Sequence, residues 1–110
     1  MTARLSTDFW VGAYRARLAA ADIPCYLTRK GDPTAGAVLV KLATLDGAAR
    51  LYGRAYGPDG ARIWALVAQG PEREVDAAAA RQREHDPDLW LIEIEDRQGR
   101  TLLEDEGLSA

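Results

Sequence analysis

Residues 37–68 read AVLVKLATLDGAARLYGRAYGPDGARIWALVA, and this stretch decides the fold class. Val38, Val40 and Leu42 alternate with Leu39, Lys41 and Ala43, which is the two-residue period of a strand. Asp46-Gly47 is a two-residue hairpin signal, and Ala49 to Tyr56 returns as the partner strand. Gly57-Pro58-Asp59-Gly60 marks a second turn. Arg62 to Ala68 then forms a third strand, with Ile63, Ala65 and Val67 on one face and Trp64 and Leu66 on the other. The three strands make an antiparallel meander.

Upstream, the spacing predicts a helix over 8–21. Trp10, Ala13, Tyr14, Leu18 and Ala21 fall on one 3.6-period face. Thr7 is placed to cap it, and Asp8 suits the positive helix end. Asp22-Ile23-Pro24 stops it, because the residue before proline avoids the α region. Cys25 to Lys30 is a flanking strand, followed by the turn-rich loop Gly31 to Gly36.

Downstream, Gln69-Gly70 is expected to end the sheet, and Pro71 to open a helix of residues 71–85 as its first residue. Only Val75, Ala78, Ala79 and Gln82 anchor that helix. Leu89 to Glu95 is a strand with Trp90, Ile92 and Ile94 turned to the core. Arg100 to Leu103 is expected as a short last strand, and the acidic tail from Glu104 is expected to fray. The fold class is therefore α+β: a mostly antiparallel sheet, a three-strand meander plus flanking strands, with two helices packed on one face. Residues 1–110 are expected to form a single domain.

Composition narrows the function classes. With 47% hydrophobic and 28% charged residues the chain is of globular type. It has no apolar run long enough for a membrane helix and no apolar segment after a basic start, as a secretory signal would need. Its lone cysteine, Cys25, cannot form an internal disulfide and suits a reducing cytoplasm, the expected location. Cys25 reads as a small buried hydrophobe. The net charge of −3 divides unevenly. Residues 1–54 hold eight basic and four acidic groups, and residues 55–110 hold six and thirteen. A pI near 5.1 argues against nucleic acid as a partner.

No residue set carries recognisable chemistry. One Cys and one His, far apart, cannot supply a zinc ligand set, and Glu84-His85-Asp86 reads as a solvated helix end. Glu93 and Glu95 share a strand face and read as a charged outer surface. The loop Gly31 to Gly36 lacks the Gly-Lys-Ser/Thr ending of a phosphate loop. No catalytic residue, cofactor or metal is expected.

What remains is aromatic and basic surface. Trp10 and Tyr14 lie one helical turn apart with Arg17 extending the stripe, and such residues are common at interfaces. Arg29, Asp32 and Lys41 surround the glycine loop. These six residues are the candidate binding residues of a non-enzymatic interaction module. One alternative is a small anion- or nucleotide-handling enzyme with Arg29 and Lys41 converging at the loop 29–41. Another is self-association through a sheet edge or the Arg50, Tyr52, Arg54, Tyr56 face. The expected partner is a protein or a second copy of the chain, with neither nucleic acid nor membrane involved.

Four segments carry a family resemblance. They are Ser6 to Tyr14 (STDFWVGAY), Arg29 to Lys41 (RKGDPTAGAVLVK), Leu51-Tyr52-Gly53, and Trp90 to Arg100 (WLIEIEDRQGR). In this order they resemble the bacterial, largely alphaproteobacterial, domain-of-unknown-function family numbered 1491. The resemblance spans nearly the whole chain. It implies a small single-domain bacterial protein and supplies neither an activity nor site residues.

Overall fold

The computed structural model describes residues 5–105 and 108. Two helices and five strands follow in the order α1 (Thr7–Ala20), β1 (Cys25–Arg29), β2 (Val38–Ala43), β3 (Ala48–Tyr56), β4 (Arg62–Pro71), α2 (Glu72–His85) and β5 (Trp90–Glu95). The strands form one sheet in the order β1-β5-β2-β3-β4. All neighbours are antiparallel except β2 and β5, which run parallel with Val38 beside Trp90 and Ala43 beside Glu95. The meander is present as β2-β3-β4, and the fold is α+β.

The two helices lie on opposite faces of the sheet, not on one. Every residue of β2 is buried, because both of its faces are covered. Val40 and Leu42 meet Trp10, Val11, Tyr14 and Leu18 of α1, together with Ile92 and Ile94 of β5. Leu39, one residue out of phase, meets Val75 and Ala79 of α2, with Leu51 and Leu89 beside them. A strand apolar on both parities is the pattern of two-sided burial. Each fully buried Leu or Ile side chain contributes about 1.5–3 kcal/mol, and most of these sit under α1. The second layer is thinner, since α2 offers only Val75 and Ala79 as buried residues.

Several local expectations change. Ser6, not Thr7, precedes α1. Thr7 is its first residue, and its hydroxyl donates to the carbonyl of Gly36 at 2.8 Å. The β2–β3 turn is longer than a two-residue hairpin: Ala43 pairs with Ala49, and the Thr44 amide then donates to the carbonyl of Ala48. Leu45 and Gly47 both take left-handed backbone there, and Asp46 binds the turn by accepting from the Thr44 hydroxyl and the Ala48 amide.

Gln69 and Gly70 do not end the sheet. They pair with Arg50 and Ala49, and Pro71 is the last residue of β4. Arg100 to Leu103 is not a strand. Leu102 is left-handed, and the segment turns across α1, where the Tyr14 hydroxyl donates to the carbonyl of Thr101 at 2.8 Å. The tail expected to fray lies partly outside the described residues, at 106, 107, 109 and 110. Within them Leu108 is buried in the α1 layer.

Candidate functional site

The structure gathers the six candidate residues into no single surface. Trp10 and Tyr14 are brought together, but in the core. Their rings stack at 5.0 Å, and Trp64 tilts against Trp10 at 5.3 Å. The Trp10 indole donates to the carbonyl of Leu108 at 3.1 Å. Burial pushes the Tyr14 hydroxyl well above the usual phenol range. Both side chains hold the C-terminal segment onto α1 and offer no free face to a partner. Arg17 and Arg29 are exposed. Asp32 builds its own loop: its carboxylate accepts from the Ala35 amide at 2.8 Å, and its carbonyl accepts from the Trp90 indole at 2.7 Å.

Lys41 is the largest departure from expectation. It is only 3% exposed and points from β2 toward α2. Its ammonium lies 2.7 Å from Glu72, 2.5 Å from Asp76 and 3.0 Å from Glu93. Burial favours loss of its proton, but the three carboxylates outweigh burial and hold the ammonium charged beyond its usual range. Burial also opposes charge on Glu93, but the Thr28 hydroxyl and Lys41 keep its carboxyl below the usual range. This cation is committed to three anions. Held there, it is not free to converge with Arg29 on an anion at the loop 29–41.

The exposed apolar surface lies elsewhere, on β3 and β4. These strands pair over nine positions, from Ala48 with Pro71 to Tyr56 with Arg62. Against the six residues of β2, the hairpin overhangs the rest of the sheet. Gly53 marks where the overhang begins. A Cβ there would stand 3.1 Å from the Leu39 side chain and 3.2 Å from Val67, so glycine lets both side chains close over the strand without shifting. Beyond it β4 is an edge strand. Ile63, Leu66 and Val67 are 43%, 47% and 43% exposed, and Tyr56 stands out at the tip. The face that carries Leu66 is also anchored. The Arg54 guanidinium lies 4.4 Å above the Trp64 ring and donates to the carbonyl of Leu108 at 3.1 Å.

The sequence shows this surface only indirectly. RIWALVA is apolar on both parities, as β2 is, yet nothing in local pattern says which of the two is central. The lengths that decide it, six residues for β2 against nine for β3 and ten for β4, emerge only in the structure.

A sheet that interleaves one parallel pair with a meander, and carries one helix on each face, is a specific arrangement to match. The family model for DUF1491, described as a protein of unknown function, matches residues 5–104. The chain belongs to the DUF1491 family. A crystal structure of a DUF1491 protein from Caulobacter crescentus shares 44% identity with a TM-score of 0.84, covering 92% of this chain and 96% of that one. An NMR structure of a DUF1491 protein from the same organism shares 43% identity with a TM-score of 0.81, covering 94% and 96%. The solution structure of protein Atu0922 from A. tumefaciens is 31% identical, with a TM-score of 0.75 and coverage of 91% and 92%. No curated protein matches the chain. The DUF1491 chain has no helix among its described residues long and apolar enough to cross a membrane.

Proposed function

We propose that this DUF1491 protein is a non-enzymatic protein-interaction module that takes an extended partner segment onto the free edge of β4. The observation that carries this reading is the ten-residue edge strand with Ile63, Leu66 and Val67 exposed on it. An edge strand presents unpaired backbone groups, and soluble proteins usually blunt such edges with charge, bulges or brevity. In strand addition, main-chain hydrogen bonds supply affinity and alternate side chains supply specificity. Leu66 and Trp64 would meet a partner on one face of the ribbon, and Ile63 and Val67 on the other. The setting proposed is the cytoplasm, which the lone thiol of Cys25 suits.

The test is capture from an alphaproteobacterial lysate by immobilised protein. A Leu66→Lys variant places a charge on the edge, and Tyr26→Lys does the same on β1. A protein retained by wild type and Tyr26→Lys but lost with Leu66→Lys supports the reading. An identical set of proteins retained by all three baits refutes it. A second copy of the chain on the same edge is the alternative occupant. It would appear as a dimer in light scattering that Leu66→Lys reverts to monomer.

A further inference from the structure

Among the described residues the β2–β5 pair is the only parallel one in the sheet, and its two strands end side by side. Ala43 and Glu95 are register partners. The Asp96 amide continues the pairing by donating to the carbonyl of Ala43 at 3.0 Å. The turns leaving the two strands, residues 44–47 and 96–99, therefore rise together. The start of β3 and the end of β4 form the wall opposite, where Arg50 pairs with Gln69. Between them lies an open cavity of about 440 Å³, lined by Thr44, Asp46, Arg50, Gln69, Arg97 and Gln98 among others. In open α/β sheets ligands bind in the crevice outside the carboxyl ends of the strands, and this cavity lies outside the carboxyl ends of β2 and β5.

The lining is polar, and its charges are unevenly committed. Among the described residues Arg50 enters no ion pair. Arg97 donates only to the Leu45 carbonyl, at 3.5 Å. The acids nearby are already engaged. Asp46 accepts from the Thr44 hydroxyl and the Ala48 amide, and these bonds, with Arg97 close by, hold its carboxyl below the usual range. Asp96 accepts from the Arg100 amide at 2.7 Å and from its guanidinium twice at 3.1 Å. Two guanidinium groups and two side-chain amides thus face one crevice, with the local carboxylates tied into their turns. Guanidinium groups bind carboxylate and phosphate oxygens in pairs.

The geometry points to a binding site for a small oxyanion in this crevice: the phosphate or carboxylate group of a compact molecule, held by Arg50 and Arg97. The site is separate from the overhanging half of β4.

Titration with inorganic phosphate, followed by amide chemical shifts, tests it. Saturable shifts confined to residues 44–50, 69–70 and 97–99 are expected, with at least a tenfold weaker affinity in the Arg50→Ala/Arg97→Ala double variant. Both arginines are exposed, so the double variant should fold, which its thermal transition checks. A parallel citrate titration separates the sources: tighter phosphate assigns a phosphate ester and tighter citrate a carboxylate. Leu66→Lys should bind phosphate as wild type does, which keeps this site distinguishable from the β4 edge. Shifts reproduced by sodium chloride at equal ionic strength, or unchanged affinity in the double variant, would overturn the assignment.

Discussion

The two edges of the sheet are built in opposite ways. β1 is five residues long, carries a register break between Leu27 and Arg29, and lies beside the α1 layer. Its exposed aromatic, Tyr26, is tied to its neighbour, since the hydroxyl donates to Glu95 at 3.2 Å. That carboxylate also pushes the Tyr26 hydroxyl above its usual range. β4 is twice as long, and although it too breaks register, at Val67, and rests on the α1 layer through Trp64, three aliphatic side chains stand exposed on it. Short, bulged and polar edges discourage pairing, and long apolar ones invite it. The two edges of one sheet thus differ in length and in exposed aliphatic surface.

The largest effects should come from the layer that secures the closed side. Trp10→Ala removes a buried ring, its stack on Tyr14 and the bond to Leu108, and should cost about 3–5 kcal/mol by chemical denaturation. A cost near zero would place Trp10 on the surface and break the comparison.

Lys41 comes next. Lys41→Met leaves three carboxylates facing one another with no cation. Truncating one partner of a buried ion pair costs about 3–5 kcal/mol, but Glu72 and Asp76 are about half exposed and can rehydrate. A loss of about 1–3 kcal/mol is therefore expected. The pH dependence has a definite sign. The Glu93 carboxyl is held below its ordinary value in the folded state, so its contribution is complete above the ordinary carboxylate range and is lost as pH falls through the lowered value. Wild type should lose stability on acidification below about pH 4.5. Lys41→Met should lose less there, because part of the lowering is gone. Parallel acid limbs would contradict the network.

Much of this was readable in the sequence, and the misses share a cause. Every regular element except the supposed last strand was legible from period and punctuation: Trp10 to Ala21 at helical spacing, Ala37 to Leu45 alternating, Leu89 to Glu95 likewise. Sequence order cannot show which strand becomes central. β5 inserts between β1 and β2, and that insertion buries Lys41, which in an isolated hairpin would face solvent. It also places α2 across the sheet from α1. Trp10 and Tyr14 look like surface aromatics only until Thr101, Leu103 and Leu108 close over them, and that closure depends on backbone carbonyls outside any regular element, with no pattern to read. The exposed half of β4 was not legible, because residues 37–45 and 62–68 read as strands of similar length.

Smaller effects sharpen the open side. Gly53→Ala should cost about 1 kcal/mol or less, as Leu39 and Val67 yield a few tenths of an ångström to the added methyl, and a larger loss would show that the overhang is rigidly packed. Leu66→Lys should change stability by no more than about 0.5 kcal/mol, because the side chain is half exposed. A substantial loss of stability would mean that Leu66 is already buried in solution, as a dimer would bury it, which the concentration dependence of the thermal transition would reveal.

The most direct measurement is amide hydrogen exchange on the protein with and without the partner captured by wild type. New protection at residues 62–68, with 25–29 unchanged, is the predicted result. Protection that appears on β1, or on neither edge while the partner remains bound, would contradict the assignment of β4 as the docking edge.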